Sequence, residues 1–178
     1  MLNTLNNIYA LTSFSPERAQ KAIEQLSSLL RHILYENERS EISINDEIEF
    51  IGNYISLMRL RVTNNVDINF VTDIPEDCNT MIAPMIFISL VENAFKHGIS
   101  PTKPSFIHIS ISVSNNTVKC LIKNSNYPKL ENDKSGHGIG LKQVGRRLEL
   151  AYSGRYKWIK GVSEDKTTYT SEIVISSK

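Results

Sequence analysis

Apolar residues in the first third of the chain recur at intervals of three and four, the spacing of one face of a helix. One stripe runs through residues 16–35, and a shorter stripe precedes it over residues 2–11. A third stripe covers residues 44–62, and its first turn is crowded with acidic side chains, as the positive end of a helix dipole favours. Either Ser43 or Asn45 is placed to cap that helix. The pattern predicts three helices before the first strand.

The hydrophobic pattern then changes from helical to alternating spacing. Apolar residues alternate over residues 66–72, which predicts a strand. Residues 85–97, opened by Pro84, form a largely apolar segment long enough for a helix. The later elements are strands over 106–113 and 117–123, a polar loop over 124–138, a helix over 139–152, and strands over 156–162 and 168–176.

The order of these elements determines the expected class of fold. Helices and strands do not alternate regularly, which argues against a doubly wound parallel sheet. Asn115 and Asn116 join two consecutive strands, and asparagine tolerates the positive φ that a two-residue hairpin turn requires. We therefore predict an α+β fold, a two-layer α/β sandwich over residues 38–178, preceded by a helical segment over residues 1–37.

Composition limits the class of protein without indicating a function. The 178 residues include 20 Lys+Arg and 19 Asp+Glu, a net charge of +1 that gives no electrostatic reason to expect binding to nucleic acid. No apolar run approaches the roughly 20 residues of a membrane span, and the N-terminus lacks a signal-peptide pattern. Cys78 and Cys120 lie far apart with no metal-binding spacing, so a reducing compartment is expected. These features indicate a cytoplasmic globular protein.

The apolar segment 85–97 carries polar residues that a helix core does not need. They lie in the stretch Leu-Val-Glu-Asn-Ala-Phe-Lys-His-Gly, residues 90–98. The amide oxygen of Asn93 can coordinate a hard cation, and Lys96, three residues on, projects from the same side to meet a phosphate. An ordinary helix with one wet face, whose Lys96 and His97 complement the helix dipole, explains these residues at least as well.

Glycines are concentrated just before the predicted helix 139–152, in the stretch Gly-His-Gly-Ile-Gly-Leu of residues 136–141. Glycines let the backbone approach a ligand closely, and the free N–H groups of a helix N-terminus attract anions. The stretch matches neither the dinucleotide-binding glycine motif nor the Walker A loop. By itself it indicates either a phosphate cradle or an ordinary loop that enters a helix. Asn124, at a predicted strand end, is equally open, because its carboxamide can bond a base edge or start a turn.

The three segments become specific when they are taken in order along the chain. The stretch 90–98 followed by the stretch 136–141 closely resembles the N box and G box of the GHKL ATP-binding fold. The variant is similar to that of the LytS/YehU-type sensor histidine kinases, whose members pair with LytTR response regulators. The resemblance extends to Tyr54, Leu57, Arg59 and Arg61 of the third helix and to residues 146–152 after the glycines.

The resemblance implies a GHKL (Bergerat-type) fold with an ATP·Mg²⁺ site between the sheet and a lid over residues 124–138. Asn93 would hold the Mg²⁺ that bridges the phosphates, and Lys96 and His97 would lie near the phosphate tail. Glu92 would activate or orient the imidazole that accepts the phosphoryl group. The resemblance thus implies catalytic roles for Glu92, Lys96 and His97 and a metal-binding role for Asn93.

The resemblance also assigns residues to phosphate and base binding. The residues expected to close on the phosphates are Gly136, Gly138, Gly140 and Leu141. Asn124 takes the position where most GHKL proteins have an Asp that accepts a hydrogen bond from the adenine amino group. An amide oxygen can accept the same bond.

Two departures from the family pattern concern the phosphoacceptor and the ATP-binding helix. The family's acceptor lies in Asn-Pro-His-Phe-Leu-Phe-Asn-Thr-Leu-Asn, whereas residues 1–6, Met-Leu-Asn-Thr-Leu-Asn, match only the end of that motif. The acceptor histidine would lie two positions before Met1, so we expect residues 1–37 to be the C-terminal part of the dimerisation and phosphoacceptor region. We expect no autophosphorylation of this chain, and we expect upstream segments to anchor the full-length protein in the inner membrane. In the ATP-binding helix, Ile88 and Ser89 replace the usual Gln-Pro.

Three functions are compatible with these residues. The resemblance implies the ATP-binding catalytic domain of a two-component sensor histidine kinase, which transfers the γ-phosphoryl group of ATP to a histidine absent from this chain. Its partners would be ATP, a LytTR-type response regulator and a second copy of the chain, bound through the N-terminal helices, with no direct contact to nucleic acid. The first alternative is a GHKL ATPase, but such enzymes place a catalytic Glu four residues before the metal-binding Asn, where this chain has Ser89. The second is a non-catalytic dimerising scaffold with a vestigial nucleotide site.

Overall fold

Helices and strands follow one another irregularly along the described part of the chain. The structure, a computed structural model, describes residues 2–36, 39–63, 65–127 and 139–176. The helices are α1 (Leu2–Phe14), α2 (Pro16–Glu36), α3 (Ile44–Arg59), α4 (Ile88–His97) and α5 (Ile139–Tyr152). The strands are β1 (Ile42–Ser43), β2 (Val66–Asp73), β3 (Met81–Ile82), β4 (Ser105–Ser114), β5 (Thr117–Ser125), β6 (Tyr156–Val162) and β7 (Thr168–Ser176).

The strands form a five-stranded sheet and a separate two-stranded ribbon. The large sheet has the order β2-β4-β5-β7-β6, with β2 and β4 parallel and the other neighbours antiparallel. β1 and β3 pair antiparallel with each other. Asn115 and Asn116 turn the β4–β5 hairpin with φ values of 47° and 57°, as the sequence predicts. The predicted α+β fold is confirmed.

The core lies between the inner face of the large sheet and helices α3, α4 and α5. Alternate residues of β4, β5 and β7 point into this core. The most deeply buried of them are Ile107, Ile109, Ile111, Val118, Cys120, Ile122, Ile173 and Ile175. The outer face carries polar pairs such as Lys119 and Glu172, whose Nζ and Oε2 atoms lie 2.8 Å apart. Because the helices cover one face only, the sandwich has two layers.

The N-terminal helices α1 and α2 are separated by a single residue, Ser15. Pro16 has no N–H group, which interrupts the helical hydrogen-bond ladder at this point. α2 packs along α3 and buries Ala22 and Leu29 in the core. Large apolar side chains of both helices stay exposed, among them Tyr9, Phe14 and Leu34. No helix in the described part of the chain is long and apolar enough to cross a membrane.

The helix that carries the N box begins later than the sequence predicts. α4 starts at Ile88, not at Met85. Met85 has a φ of 56°, a left-handed conformation that an α-helix cannot contain. The residues after Pro84 therefore form a turn that leads into the helix.

Other differences from the predicted elements are smaller. α3 ends at Arg59, not near residue 62, and the Arg59 guanidinium donates to the Ile68 carbonyl at 2.7 Å, which ties the helix end to β2. β5 runs to Ser125, so Asn124 belongs to a strand and not to the loop. The strands β1 and β3 are two residues long, too short to show an alternating pattern in the sequence.

Candidate functional site

Helix α4 carries core residues on one side and the polar residues of the N box on the other. Its buried residues are Ile88, Leu90, Val91, Ala94 and Phe95. This spacing of three and four leaves Glu92, Asn93 and Lys96 on the side away from the core. Lys96 and His97 occupy the last turn, where cations complement the helix dipole. The polar side chains therefore project from a rigid, well-anchored element.

A cavity of about 170 Å³ lies between α4 and the first turn of α5. Its lining residues are Ser89, Glu92, Asn93, Lys96, His97, Gly140 and Leu141. The structure thus brings the predicted residues of α4 together with Gly140 and Leu141, which are distant in sequence. A Cβ atom added at Gly140 would meet no atom within 4 Å, so the backbone here is open to an approaching group.

The predicted phosphate-binding glycines fall only partly within the described residues. Gly136 and Gly138 lie outside them, as does most of the predicted lid 124–138. α5 begins at Ile139, which puts Gly140 in its first turn. The first N–H groups of a helix have no partner within the helix, and such groups commonly bind anions.

Asn124, the predicted base-binding residue, is buried near the end of β5 with 1% of its surface exposed. Its Nδ2 donates to the Ser125 carbonyl at 2.8 Å. Because a carbonyl oxygen can only accept, this bond fixes which end of the amide is which. The remaining atom, Oδ1, is buried and has no hydrogen-bond partner within the described ranges of the chain. The amide can therefore accept a hydrogen bond from the amino group of a ligand.

Gly98, directly after α4, packs against Asn124. A Cβ atom at Gly98 would come within 2.8 Å of the Asn124 Cβ and within 2.6 Å of the Ala94 carbonyl oxygen, closer than such atoms pack. Close approach, rather than an unusual φ, therefore requires glycine at this position. This contact holds the C-terminal end of α4, which carries Lys96, against the part of β5 that carries Asn124.

Glu92 lies between this cavity and a second one. The second cavity, of about 380 Å³, is lined by residues of α2, α3, α4 and α5, with Leu29 and Leu57 among its apolar side chains. Glu92 and Ser89 line both cavities. Partial burial raises the pKa of Glu92, which makes its carboxylate a stronger base than one on an open surface. This carboxylate can contact a group that enters from either cavity.

Glu47, a fully buried residue of α3, is not among the predicted site residues, yet it holds the turn before α4. Its Oε2 accepts from the Met85 N–H at 2.8 Å, and its Oε1 accepts from the Phe87 N–H at 3.2 Å. Burial raises the pKa of Glu47 to about 7, although these hydrogen bonds oppose the shift. The sequence held a signal, because Glu47 lies three residues after Ile44 and four before Ile51, on the apolar face of its helix.

Tyr169 is also not among the predicted site residues. It lies on β7 directly opposite Asn124 of β5. Its hydroxyl oxygen is buried, and no described residue forms a hydrogen bond with it. Burial raises the pKa of Tyr169 above its ordinary value. Only the register between the two strands brings this residue beside Asn124, and the sequence does not show that register.

The side chains that line the cavity between α4 and α5 suit Mg²⁺ bound together with phosphates better than a metal ion bound by protein ligands alone. Within the described ranges, no group of three or more His, Cys, Asp or Glu side chains is placed to bind a metal ion. Mg²⁺ keeps several water ligands and commonly binds through one or two protein oxygens and the phosphates of a substrate. An amide oxygen from Asn93, in a cavity beside a helix N-terminus, fits that pattern.

The sequence of this chain is similar to those of sensor histidine kinases. Residues 1–66 match the family model described as histidine kinase. The chain is 30% identical over 161 residues to the sensor histidine kinase YpdA of Escherichia coli (strain K12), which covers 85% of this chain and 28% of YpdA. It is 31% identical over 98 residues to the sensor protein kinase HptS of Staphylococcus aureus (strain USA300), which covers 55% of this chain and 18% of HptS. The chain therefore spans less than a third of either relative.

Comparison of the structure with solved structures gives the same class of fold. The histidine kinase domain of a blue-light activated histidine kinase from Erythrobacter litoralis matches 95% of this chain and 83% of its own length. The TM-score is 0.56 and the sequence identity is 13%. At 13% identity, this structural similarity shows a shared fold and no more.

Proposed function

We propose that this chain is the ATP-binding catalytic part of a sensor histidine kinase, the class of protein that its sequence resembles. The observation that carries this proposal is the cavity in which the polar face of α4 meets the first turn of α5. An amide oxygen, a lysine and a helix N-terminus face the same space there. A polyphosphate with bound Mg²⁺ needs this combination of groups.

We propose that α4 and α5 share the contacts with the phosphates. Asn93 would hold Mg²⁺ through its amide oxygen, and the bound ion would supply positive charge beside the phosphoryl group. Lys96 and His97 lie beside the phosphate tail, where the Lys96 ammonium donates to phosphate oxygens. Gly140 and Leu141 contribute backbone N–H groups at the start of α5. We propose the same role for the remaining two glycines of the G box, Gly136 and Gly138.

The base-binding role of Asn124 is supported by its unpartnered acceptor. No described residue donates to the buried Oδ1 atom, and the 6-amino group of adenine is a donor. Leaving a buried acceptor unpaired costs about 1–3 kcal/mol, so a ligand that pairs with it gains affinity. An amide in place of the family's Asp therefore suffices for adenine.

We propose that Glu92 contacts the imidazole that receives the phosphoryl group. The attacking imidazole nitrogen bonds to the γ-phosphorus while the bond from phosphorus to the ADP oxygen breaks. Glu92 orients the ring through the N–H on its other nitrogen and accepts that proton, and the raised pKa of its carboxyl favours both roles. None of the four histidines of this chain lies in the family's acceptor motif, so we propose that the chain alone does not autophosphorylate.

The proposed partners follow from the same premise. The exposed apolar side chains of α1 and α2 support a homodimer formed through these helices. A response regulator, of the LytTR type, is the proposed acceptor of the phosphoryl group from the full kinase, and no direct contact with nucleic acid is proposed. The proposed location of this part is the cytoplasmic side of the inner membrane, with the anchor elsewhere in the longer protein.

Calorimetric titration with ATP, in the presence and absence of Mg²⁺, tests the proposal. We expect wild type to bind ATP about tenfold more tightly with Mg²⁺, and we expect Asn93→Ala to lose that dependence. Asn69→Ala, at an exposed position on β2, is the matched control and should behave as wild type. Equal wild-type affinity with and without Mg²⁺ would contradict the role of Asn93. A wild type that binds no ATP would contradict the proposal as a whole.

Phosphate release from ATP, measured with the wild-type chain, distinguishes the kinase from a GHKL ATPase. In GHKL ATPases the base that activates water is a Glu four residues before the metal-binding Asn, and the hydroxyl of Ser89, which takes that position here, is not a base at neutral pH. We therefore expect no release of phosphate above the background of buffer and ATP alone.

A further inference from the structure

Tyr169 and Asn124 face each other across the β5–β7 ladder. They are direct partners in the antiparallel register, so their side chains lie on the same face of the sheet. That face is the inner one, because Ile122 and Ser171, two positions away on each strand, are both buried. The two side chains therefore occupy adjacent places beside the end of α4, where Gly98 packs on Asn124.

Both side chains carry a buried polar atom that has no hydrogen-bond partner among the residues that the structure describes. These atoms are Oδ1 of Asn124 and the hydroxyl oxygen of Tyr169. Proteins satisfy nearly all of their buried polar groups, and the neighbouring Ser171 follows that rule, since its Oγ accepts from Trp158 Nε1 at 2.9 Å. Two unsatisfied atoms on facing residues therefore indicate a ligand that supplies both partners.

We propose that Tyr169 is a specificity-determining residue for the nucleotide base, acting beside Asn124. This inference rests on the proposed function, in which Asn124 accepts a hydrogen bond from the adenine amino group. The Tyr169 hydroxyl donates to the ring nitrogen next to that amino group. The two residues together then read two adjacent atoms along one edge of the base.

The donor and acceptor roles follow from the surroundings of each residue. Oδ1 of Asn124 can only accept, because the Nδ2 end of the amide is bound to the Ser125 carbonyl. The Tyr169 hydroxyl keeps its proton at neutral pH, because burial raises its pKa. The site therefore offers one acceptor beside one donor.

Adenine presents the complementary pair of groups. Its 6-amino group donates, and the ring nitrogens beside that group, N1 and N7, both accept. Guanine has a carbonyl oxygen in place of the amino group, so two acceptors would meet at Asn124. The pair of residues is thus expected to favour ATP over GTP.

The test combines one substitution with altered bases. Affinities of wild type and Tyr169→Phe are measured by calorimetry, with Mg²⁺ present, for ATP, 1-deaza-ATP and 7-deaza-ATP. Wild type should bind one of the two deaza compounds about three- to tenfold more weakly than ATP, the range that one neutral hydrogen bond supplies. Tyr169→Phe should bind ATP more weakly by a similar factor and should no longer distinguish ATP from that compound.

Tyr156→Phe is the matched control. The Tyr156 hydroxyl on β6 donates to the Glu149 carboxylate at 3.2 Å, away from Asn124, so its loss should leave all three affinities unchanged. Thermal unfolding of Tyr169→Phe gives a separate measure of any structural role. Removing a hydroxyl that has no partner should leave the unfolding midpoint unchanged or raise it.

The outcomes separate this inference from the proposed function. If Tyr169→Phe binds ATP as wild type does, or if wild type binds both deaza compounds as tightly as ATP, the inference is overturned and the proposed function stands. The inference is also overturned if Tyr169→Phe still distinguishes the same compound, or if its unfolding midpoint falls. If wild type binds no ATP, both are overturned.

Discussion

At the scale of single residues, two buried polar side chains determine how the site is held and what it can bind. Burial of a carboxyl or an amide costs free energy unless hydrogen bonds replace those lost to water. For Glu47, the N–H groups of Met85 and Phe87 offset the cost. For Asn124, nothing in the described chain pairs with Oδ1. Glu47 therefore has a structural role, whereas Asn124 is available to a ligand.

The buried carboxyl of Glu47 predicts a pH-dependent stability. Its pKa is about 7 in the native state against 4.5 for the ordinary side chain, so the native state binds the proton more tightly than the unfolded chain. The stabilisation is therefore complete below about pH 4.5 and is lost as the pH rises through 7. We expect the free energy of unfolding to fall by roughly 2–3 kcal/mol between pH 5 and pH 8 because of this residue.

Urea unfolding of wild type and Glu47→Gln at both pH values measures this contribution. Glu47→Gln should be less stable than wild type at pH 5, because an amide group accepts at one atom only and leaves one backbone N–H unpaired. Its stability should change less between the two pH values than that of wild type. Glu49→Gln, at an exposed position of the same helix, should keep the wild-type dependence on pH. A Glu47→Gln variant with that same dependence would show that Glu47 does not titrate in this range.

At the scale of elements, the orientation of α4 depends on its neighbours on both sides. Glu47 of α3 holds the turn before α4 through backbone N–H groups. Arg147 of α5 holds the same turn through the carbonyls of Pro84 and Met85, at 3.3 and 3.2 Å. The polar face of α4 therefore keeps its position relative to the first turn of α5. The cavity between the two helices depends on this arrangement.

The β4–β5 hairpin gives a second prediction, because its two-residue turn has positive φ at both central residues. Glycine adopts positive φ without steric cost, so Asn116→Gly should raise the free energy of unfolding by up to about 1 kcal/mol. Asn116→Val should lower it by about 1–2 kcal/mol, since a β-branched residue is strained there. Urea unfolding measures both changes. A valine variant as stable as wild type would mean that residue 116 does not hold positive φ in solution.

At the scale of the whole molecule, a helical segment is attached to the α/β sandwich through the contact of α2 with α3. α2 buries apolar residues on that side, and the segment leaves large apolar side chains exposed elsewhere. Phe14 is 88% exposed and Leu34 is 67% exposed, values unusual for side chains of this size. The division into residues 1–37 and 38–178 remains a prediction.

The exposed residues of the helical segment predict self-association. Sedimentation velocity over a range of concentrations should show wild type as a reversible dimer. The double variant Phe14→Glu, Leu34→Glu should be monomeric at the same concentrations, because a carboxylate at each of these exposed positions removes apolar contact and repels the same residue of the second copy. Ile159→Glu, an exposed position on β6, is the control and should dimerise as wild type. If the double variant dimerises as well as wild type, the interface lies elsewhere.

The sequence by itself determined the elements whose hydrophobic pattern is long and regular. The predicted bounds of α5, β6 and β7 agree with the structure residue by residue, because local periodicity and turn residues specify such elements. The order of the N box and the G box along the chain also predicted the similarity to sensor histidine kinases that the comparisons found. The roles of the individual site residues remain proposals, and Gly136 and Gly138 lie outside the described residues.

The tertiary structure alone decided what depends on distant segments. In the sequence, Glu47 is one of several acidic residues in the first turn of its helix. In the structure it is buried under the turn before α4, whose Met85 N–H donates to it, and α4 begins only after this turn, at Ile88. Tyr169 became part of the site only through the register that sets it opposite Asn124. Burial and strand register are properties of pairs of segments far apart in the chain, so no local pattern can encode them.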